Sequence, residues 1–209
     1  MKAIVFDMDG VIAETEKFHT EAKQEVLADH GIETDAEELE EKYAGTPSEN
    51  MFKQVFKEHN IDADHEEAAA RKRQTYHEII QGQIHEIEGA KALIQELSEN
   101  HELVLASSSA RRNIQMILKS TGLEEYFIET LSAKDEGING KPEPDIYLEA
   151  AEILEEKPEN CVAIEDSDNG IKSAKKAGMK VVGFRNQRPE TDLSIESFED
   201  LSVERLKQL

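Results

Sequence analysis

Two carboxylates spaced i, i+2 close the first apolar run of the chain, Lys2-Ala3-Ile4-Val5-Phe6-Asp7-Met8-Asp9-Gly10. In extended backbone that spacing puts Asp7 and Asp9 on one side of the segment. Two like charges that close repel each other. They are tolerated when a cation sits between them or when one holds a proton, and either arrangement is a chemical site. The same residues also read as a strand running into an Asp-rich turn, because Asp-Gly pairs are common turn formers. On this segment alone the two readings stand level.

Three other polar groups follow apolar runs or loop signals. Ser107-Ser108-Ser109 follow Leu103–Ala106, and Glu165-Asp166-Ser167 follow Cys161–Ile164. Lys141 stands in the loop Gly140-Lys141-Pro142-Glu143-Pro144-Asp145. Each has a plain explanation. The serines can cap the next helix, Glu165, Asp166 and Asp168 can cap the one after, and Lys141 can be a solvated cation. In an open parallel sheet, however, ligands bind beyond the carboxyl ends of the strands, so all four pieces belong to one edge. Carboxylates from two strands make an oxygen-rich site of the kind Mg²⁺ prefers. A serine at a helix N-terminus plus a lysine makes an anion site.

The elements that must position these groups are legible as pattern. Ala3–Phe6 reads as a short buried strand, apolar and partly branched. From Thr15 to Gln81 the pattern is helical, with helices near Thr15–His30, Asp35–Tyr43, Ser48–Glu58 and Asp64–Gln81. The breaks fall at Gly31, at Gly45-Thr46-Pro47 and at Asn60-Ile61-Asp62. From Gly89 onward helices and apolar strands alternate. Helices at Gly89–Glu99, Ala110–Thr121, Pro144–Leu154 and Asn169–Ala177 lead to strands at Leu103–Ala106, Phe127–Leu131, Cys161–Ile164 and Val181–Phe184. Pro144 suits a first helical position, and Gly178 suits a helix stop. The expectation is an α/β fold, a Rossmann-like parallel sheet core with an inserted all-helical cap subdomain. The core takes residues 1–14 and 83–209 and the cap takes 15–82, joined by hinges near Ala13–Thr15 and Gly82–Gly89.

At 209 residues the chain is long enough to bury a substantial core. It carries 46 acidic and 24 basic residues, a net charge of −22. That balance argues against nucleic acid and anionic membrane surfaces as partners, which are bound by cationic surface. It also means that a phosphate site must be built locally, from a metal ion, a few cations and helix N-termini. The single cysteine, Cys161, excludes an internal disulfide and fits a reducing compartment. It lies in an apolar run and reads as a buried, inert thiol. With no signal peptide or membrane span in the pattern, the expectation is a soluble cytoplasmic protein.

These motifs resemble those of the haloacid dehalogenase (HAD) superfamily. Asp7-Met8-Asp9-Gly10-Val11-Ile12, Ser107, Lys141 in its Lys-Pro-Glu-Pro-Asp run, and Glu165-Asp166-Ser167-Asp168-Asn169-Gly170-Ile171 match its four motifs in order and separation. The resemblance covers nearly the whole chain. It points to the subfamily with a helical cap after the first motif, which includes β-phosphoglucomutase, phosphoglycolate phosphatase and sugar-phosphate phosphatases. It implies Asp7 as nucleophile, forming an aspartyl-phosphate, and Asp9 as general acid and then base. Mg²⁺ would be held by Asp7, the backbone carbonyl of Asp9 and Asp166, with Glu165 as a further or alternate ligand. Ser107, Lys141 and nearby backbone amides would hold the phosphoryl oxygens. Gly10, Ser108, His19 and Arg111 would be further phosphate or substrate contacts. Asp9 also argues for phosphoryl transfer over dehalogenation, because a halide leaving group needs no proton.

Within that subfamily the motifs leave two activities open. The stretch Gly10 to His19 looks like the β-phosphoglucomutase side. Mutases grip a second phosphate with cap cations, however, and Ser48 stands where that branch carries an Arg. Lys72 falls near a mutase Lys, but Arg71, Lys72 and Arg73 also read as one solvated helix face, and His19 reads equally as an exposed hinge-helix residue. The expectation is a Mg²⁺-dependent phosphatase, a monomer, acting on a small phosphorylated metabolite such as a sugar or polyol phosphate. A phosphomutase is the alternative, and a non-catalytic binding protein of the same fold is a third reading.

Overall fold

A computed structural model describes residues 3–43, 46–80 and 83–209. The chain forms two compact units, Met1–Glu14 with Ile84–Leu209, and Thr15–Gln83. Gly45, Gln81 and Gly82, which enter the expected helix breaks, helix end and hinge, lie outside the described residues.

The first unit is built on a parallel sheet. Its strands are β1 (Ala3–Phe6), β2 (Glu102–Ser107), β3 (Glu129–Ser132), β4 (Cys161–Glu165), β5 (Lys180–Phe184) and β6 (Leu193–Ile195). Their order is β3-β2-β1-β4-β5-β6, and every pairing is parallel. All four residues of β1 are buried, as an apolar run in mid-sheet must be when both faces are covered. The helices are α5 (Ala90–Ser98), α6 (Arg111–Thr121), α7 (Asp145–Ile153), α8 (Asp168–Ala177) and the short α9 (Val203–Leu206). Val5, Val104, Ile146, Tyr147, Ala163 and Ile171 belong to one core cluster, which joins β1, β2 and β4 to α7 and α8. Gly178 stops α8 at φ +92°, in the left-handed region that glycine enters without strain.

Strand order reverses between β1 and β4, since β2 and β3 lie on one side and β4 to β6 on the other. Such a switch point opens a crevice at the strand ends. Register places Phe6 opposite Leu105 and Ile164, and the Asp7 N–H donates to the Ile164 carbonyl at 3.0 Å. Asp7 therefore leaves the sheet beside Glu165, the last residue of β4.

The expected elements stand within two residues of their sequence-based bounds, with β3 displaced along the chain to Glu129–Ser132 from the expected Phe127–Leu131. Pro144 stands one residue before α7 as its N-cap, its carbonyl accepting the first helical bond from the Leu148 N–H at 3.0 Å. Strand β6 has no counterpart in the sequence reading. It is three residues long with a serine at its centre and only Ile195 buried, so it has too few apolar positions to show a period.

The second unit contains α1 (Glu16–Asp29), α2 (Ala36–Tyr43), α3 (Ser48–Glu58) and α4 (His65–Ile79). Val26, Leu27, Phe52, Phe56 and Ala69 form its apolar centre. Asp64 caps α4 by accepting from the Glu66 and Glu67 N–H groups, which satisfies two donors of the first turn. Among the described residues no helix is long and apolar enough to cross a membrane.

Candidate active site

Lys141 is the hub of the site at the switch point. Its ammonium donates to Asp7 Oδ1 at 2.5 Å, Glu165 Oε1 at 2.6 Å and the Ala106 carbonyl at 2.9 Å. These are the ends of β1, β4 and β2, so one cation ties three strand ends together. All three side chains are buried, Lys141 at 4%, Asp7 at 8% and Glu165 at 0% exposure. The loop that delivers Lys141 is fastened at both sides. Asp145 accepts from the Asn139 backbone and side chain, and Ser173 on α8 donates to the Glu143 carbonyl.

Glu165 is fully bonded. Oε1 accepts from Lys141 and from the Tyr147 hydroxyl at 2.6 Å, and Oε2 accepts from the Ser167 N–H and hydroxyl. Gly170 lets it lie there, because a Cβ at that position would collide with the Glu165 carboxylate. The cap of α8 is Ser167, whose Oγ accepts from the Gly170 N–H, so Glu165, Asp166 and Asp168 are not spent on capping. Asn186 donates to the Asp166 carbonyl at 2.6 Å, and Arg188 pairs with Asp168.

Asp7, Glu165 and Asp166 each offer an oxygen within 4.8 Å of the others. Burial raises the Asp7 carboxyl well above the usual carboxylate range, against the pull of Lys141 and with a further push from Glu165, Asp9 and Asp166. Burial and the Glu165 charge push Asp166 up to about 7. Burial opposes the Lys141 charge, but Asp7 and Glu165 outweigh it and hold its pKa well above the usual lysine value. The surplus of negative charge and the all-oxygen donor set fit a hard divalent cation such as Mg²⁺.

Asp9 is held on a separate set of donors. Its Oδ2 accepts from the Ser107 hydroxyl at 3.2 Å and the Ser109 hydroxyl at 2.9 Å. The serines are thus not helix caps. Ala110 precedes α6, and no side chain caps that helix. Gly10 has φ +83° and faces the Asp166 carboxylate, so a Cβ there would be strained and would strike it. Ser108 is exposed.

Arg111 and His19 are engaged by their own neighbours. Arg111 forks onto Asp135 at 3.1 and 2.9 Å and donates to the Thr130 carbonyl. In the helical unit His19 Nδ1 lies 2.7 Å from the Lys72 ammonium, and its ring stacks on Tyr76 at 3.9 Å. The ammonium can only donate, so Nδ1 accepts and the ring proton sits on Nε2. Burial, then Lys72 and Lys23, lower the His19 pKa to about 3. Two expectations are corrected here. His19 is not an exposed helix residue, because Tyr76 covers one face of its ring and Lys72 occupies Nδ1. Lys72 does not share a solvated face with Arg71 and Arg73, because α4 turns it inward to 7% exposure while Arg73 points to solvent beside Glu49.

The haloacid dehalogenase-like hydrolase family model matches residues 4–184, which contain every site residue of the first unit except Arg188 and Asn186. The chain belongs to the haloacid dehalogenase-like hydrolases. It is 32% identical over 218 aligned positions to a β-phosphoglucomutase of Bacillus subtilis, covering 100% of this chain and 95% of that protein. It is 31% identical over 181 positions to a phosphorylated carbohydrates phosphatase of Thermotoga maritima, covering 86% of this chain and 83% of the relative. The solved structure of CbbY from Rhodobacter sphaeroides in complex with phosphate superposes with a TM-score of 0.82 at 27% identity, over 97% and 96% of the two chains. This hydrolase is an enzyme of the HAD phosphatase class.

Tyr147 and Asn186 are site residues absent from the sequence-based expectation, and Ser109 enters it only as part of the serine run, with no role of its own. Tyr147 and Asn186 lie outside the polar runs at the strand ends and reach the site through the packing of α7 and the turn after β5. Ser109 stood in the singled-out serine run, and its spacing of two from Ser107 was the available signal.

Proposed function

We propose that this hydrolase removes phosphate from a small phosphate monoester, a sugar or polyol phosphate, through an aspartyl-phosphate on Asp7. The observation that carries the reading is the Asp7–Lys141–Glu165 cluster beside a second carboxylate, Asp9, held on a separate set of donors. The two aspartates have different surroundings, which suits them to different roles.

In the first step an Asp7 carboxylate oxygen forms a bond to phosphorus while the ester oxygen–phosphorus bond breaks. Asp9 gives its proton to the leaving oxygen, which departs as an alcohol. In the second step the Asp9 carboxylate takes a proton from water, the water oxygen bonds to phosphorus, and the Asp7–phosphorus bond breaks to release phosphate. Lys141 keeps its charge and orients Asp7 through both steps, and Ser107 with nearby backbone N–H groups receives the phosphoryl oxygens. Asp7, Asp166 and the Asp9 carbonyl would hold Mg²⁺, which when bound supplies positive charge to the phosphoryl group, and Glu165 would join them only by giving up a bond to Lys141, Tyr147 or Ser167. The helical unit, residues 15–82, serves as the cap that selects the substrate.

A second reading, phosphomutase, is supported by the similarity to a β-phosphoglucomutase. One experiment separates them. Turnover of a panel of phosphate esters with Mg²⁺ is expected to release free phosphate. If β-glucose 1-phosphate with a bisphosphate primer gives glucose 6-phosphate faster than free phosphate, the mutase reading replaces it.

A further inference from the structure

We infer that Ser109 is the positioning residue of Asp9, holding its carboxyl group by Oδ2 in the orientation that proton transfer needs; this rests on the proton-carrying role proposed above. Ser107 and Ser109 both donate to the same atom, Asp9 Oδ2. A hydroxyl has one hydrogen to give. When Ser107 turns its hydrogen to a phosphoryl oxygen, Ser109 remains on Oδ2. With Oδ2 held as an acceptor, the Asp9 carboxyl group keeps its orientation for proton transfer to the leaving oxygen.

Ser109 is itself held from behind. Its carbonyl accepts from the Ser132 hydroxyl at 2.8 Å, and its N–H donates to Ser107 Oγ at 3.0 Å. Ser132 is fully buried at the end of β3, where its Oγ accepts from the Lys134 N–H and its own N–H donates to Asp135 Oδ2. Asp135 is gripped by the Arg111 fork. The relay Arg111–Asp135–Ser132–Ser109 thus runs from the sheet edge to Asp9, and it gives Arg111 work other than binding substrate.

The test uses two substrates of similar shape and different need for an acid. The nitrophenolate of p-nitrophenyl phosphate leaves without a proton, and the phenolate of phenyl phosphate needs one. General acid catalysis contributes about 10²–10⁴-fold, so loss of its alignment is expected to cost a fraction of that. In Ser109→Ala, measured with saturating Mg²⁺, kcat/KM for phenyl phosphate should fall about tenfold further than for p-nitrophenyl phosphate. Ser109→Thr, which keeps the hydroxyl, should restore most of the difference, and Ser132→Ala should reproduce part of it. Equal losses on both esters would show a merely structural role and overturn the inference, as would no loss on either. If the wild-type protein turns over neither ester, the phosphatase reading itself fails and takes this inference with it.

Discussion

Removing the Lys141 ammonium leaves Asp7 and Glu165 buried without the countercharge that both now share. Truncating one partner of a buried ion pair costs about 3–5 kcal/mol. Lys141→Ala should therefore lower stability by about that amount in urea unfolding, and saturating Mg²⁺ should return part of it. Turnover should drop by at least about 10²-fold, the usual cost of losing one preorganised charge at a reacting centre. A variant with wild-type stability in the absence of metal would show that the ammonium is not the hub. At this scale the sequence displayed the chemistry and hid its wiring. Asp7, Asp9, Lys141, Glu165 and Asp166 were visible as polar groups at strand ends. That Tyr147 saturates Glu165, or that Arg111 backs a serine loop, depends on side chains brought together across 18 and 24 residues.

Elements carry two further predictions. The turn after β1 has room for the Asp166 carboxylate only because residue 10 is glycine at φ +83°. Gly10→Ala should displace Asp166 and weaken Mg²⁺ affinity by about 10–100-fold, the usual effect of disturbing groups that orient metal ligands. The Mg²⁺ dependence of turnover measures it, and an unchanged dependence would exclude Asp166 from the metal site. In the helical unit, folding holds His19 neutral with a pKa near 3, whereas the unfolded side chain titrates near 6.5. The unfolded state then binds more protons between those values, so stability falls as pH drops from about 6.5 toward 3, by at most about 1.4 kcal/mol per unit. His19→Gln should flatten that slope in urea unfolding at pH 7 and pH 5. Strands and helices were legible where apolar period and glycine or proline punctuation agreed, as at β1 and α8. The three-residue β6 and the inward turn of Lys72 were not, because each is decided by packing that no local period reports.

For the whole molecule, a net charge of −22 opposes the approach of a phosphate ester, so the local cations must work against the field of the chain. Raising salt from about 10 mM to about 150 mM at fixed Mg²⁺ shortens the screening length from about 30 Å to about 8 Å. The value of kcat/KM should then rise, with the change in KM rather than kcat; a fall would mean that local positive potential dominates the encounter. The central claim is the covalent intermediate on Asp7. The most direct measurement is an acid quench of p-nitrophenyl phosphate turnover on the millisecond scale, followed by peptide mapping. A hydroxylamine-labile phosphoryl group on the peptide containing Asp7, absent in Asp7→Asn along with turnover, is the predicted result. Full Mg²⁺-dependent turnover by Asp7→Asn, with no phosphoryl group on that peptide in the wild-type protein, would contradict it.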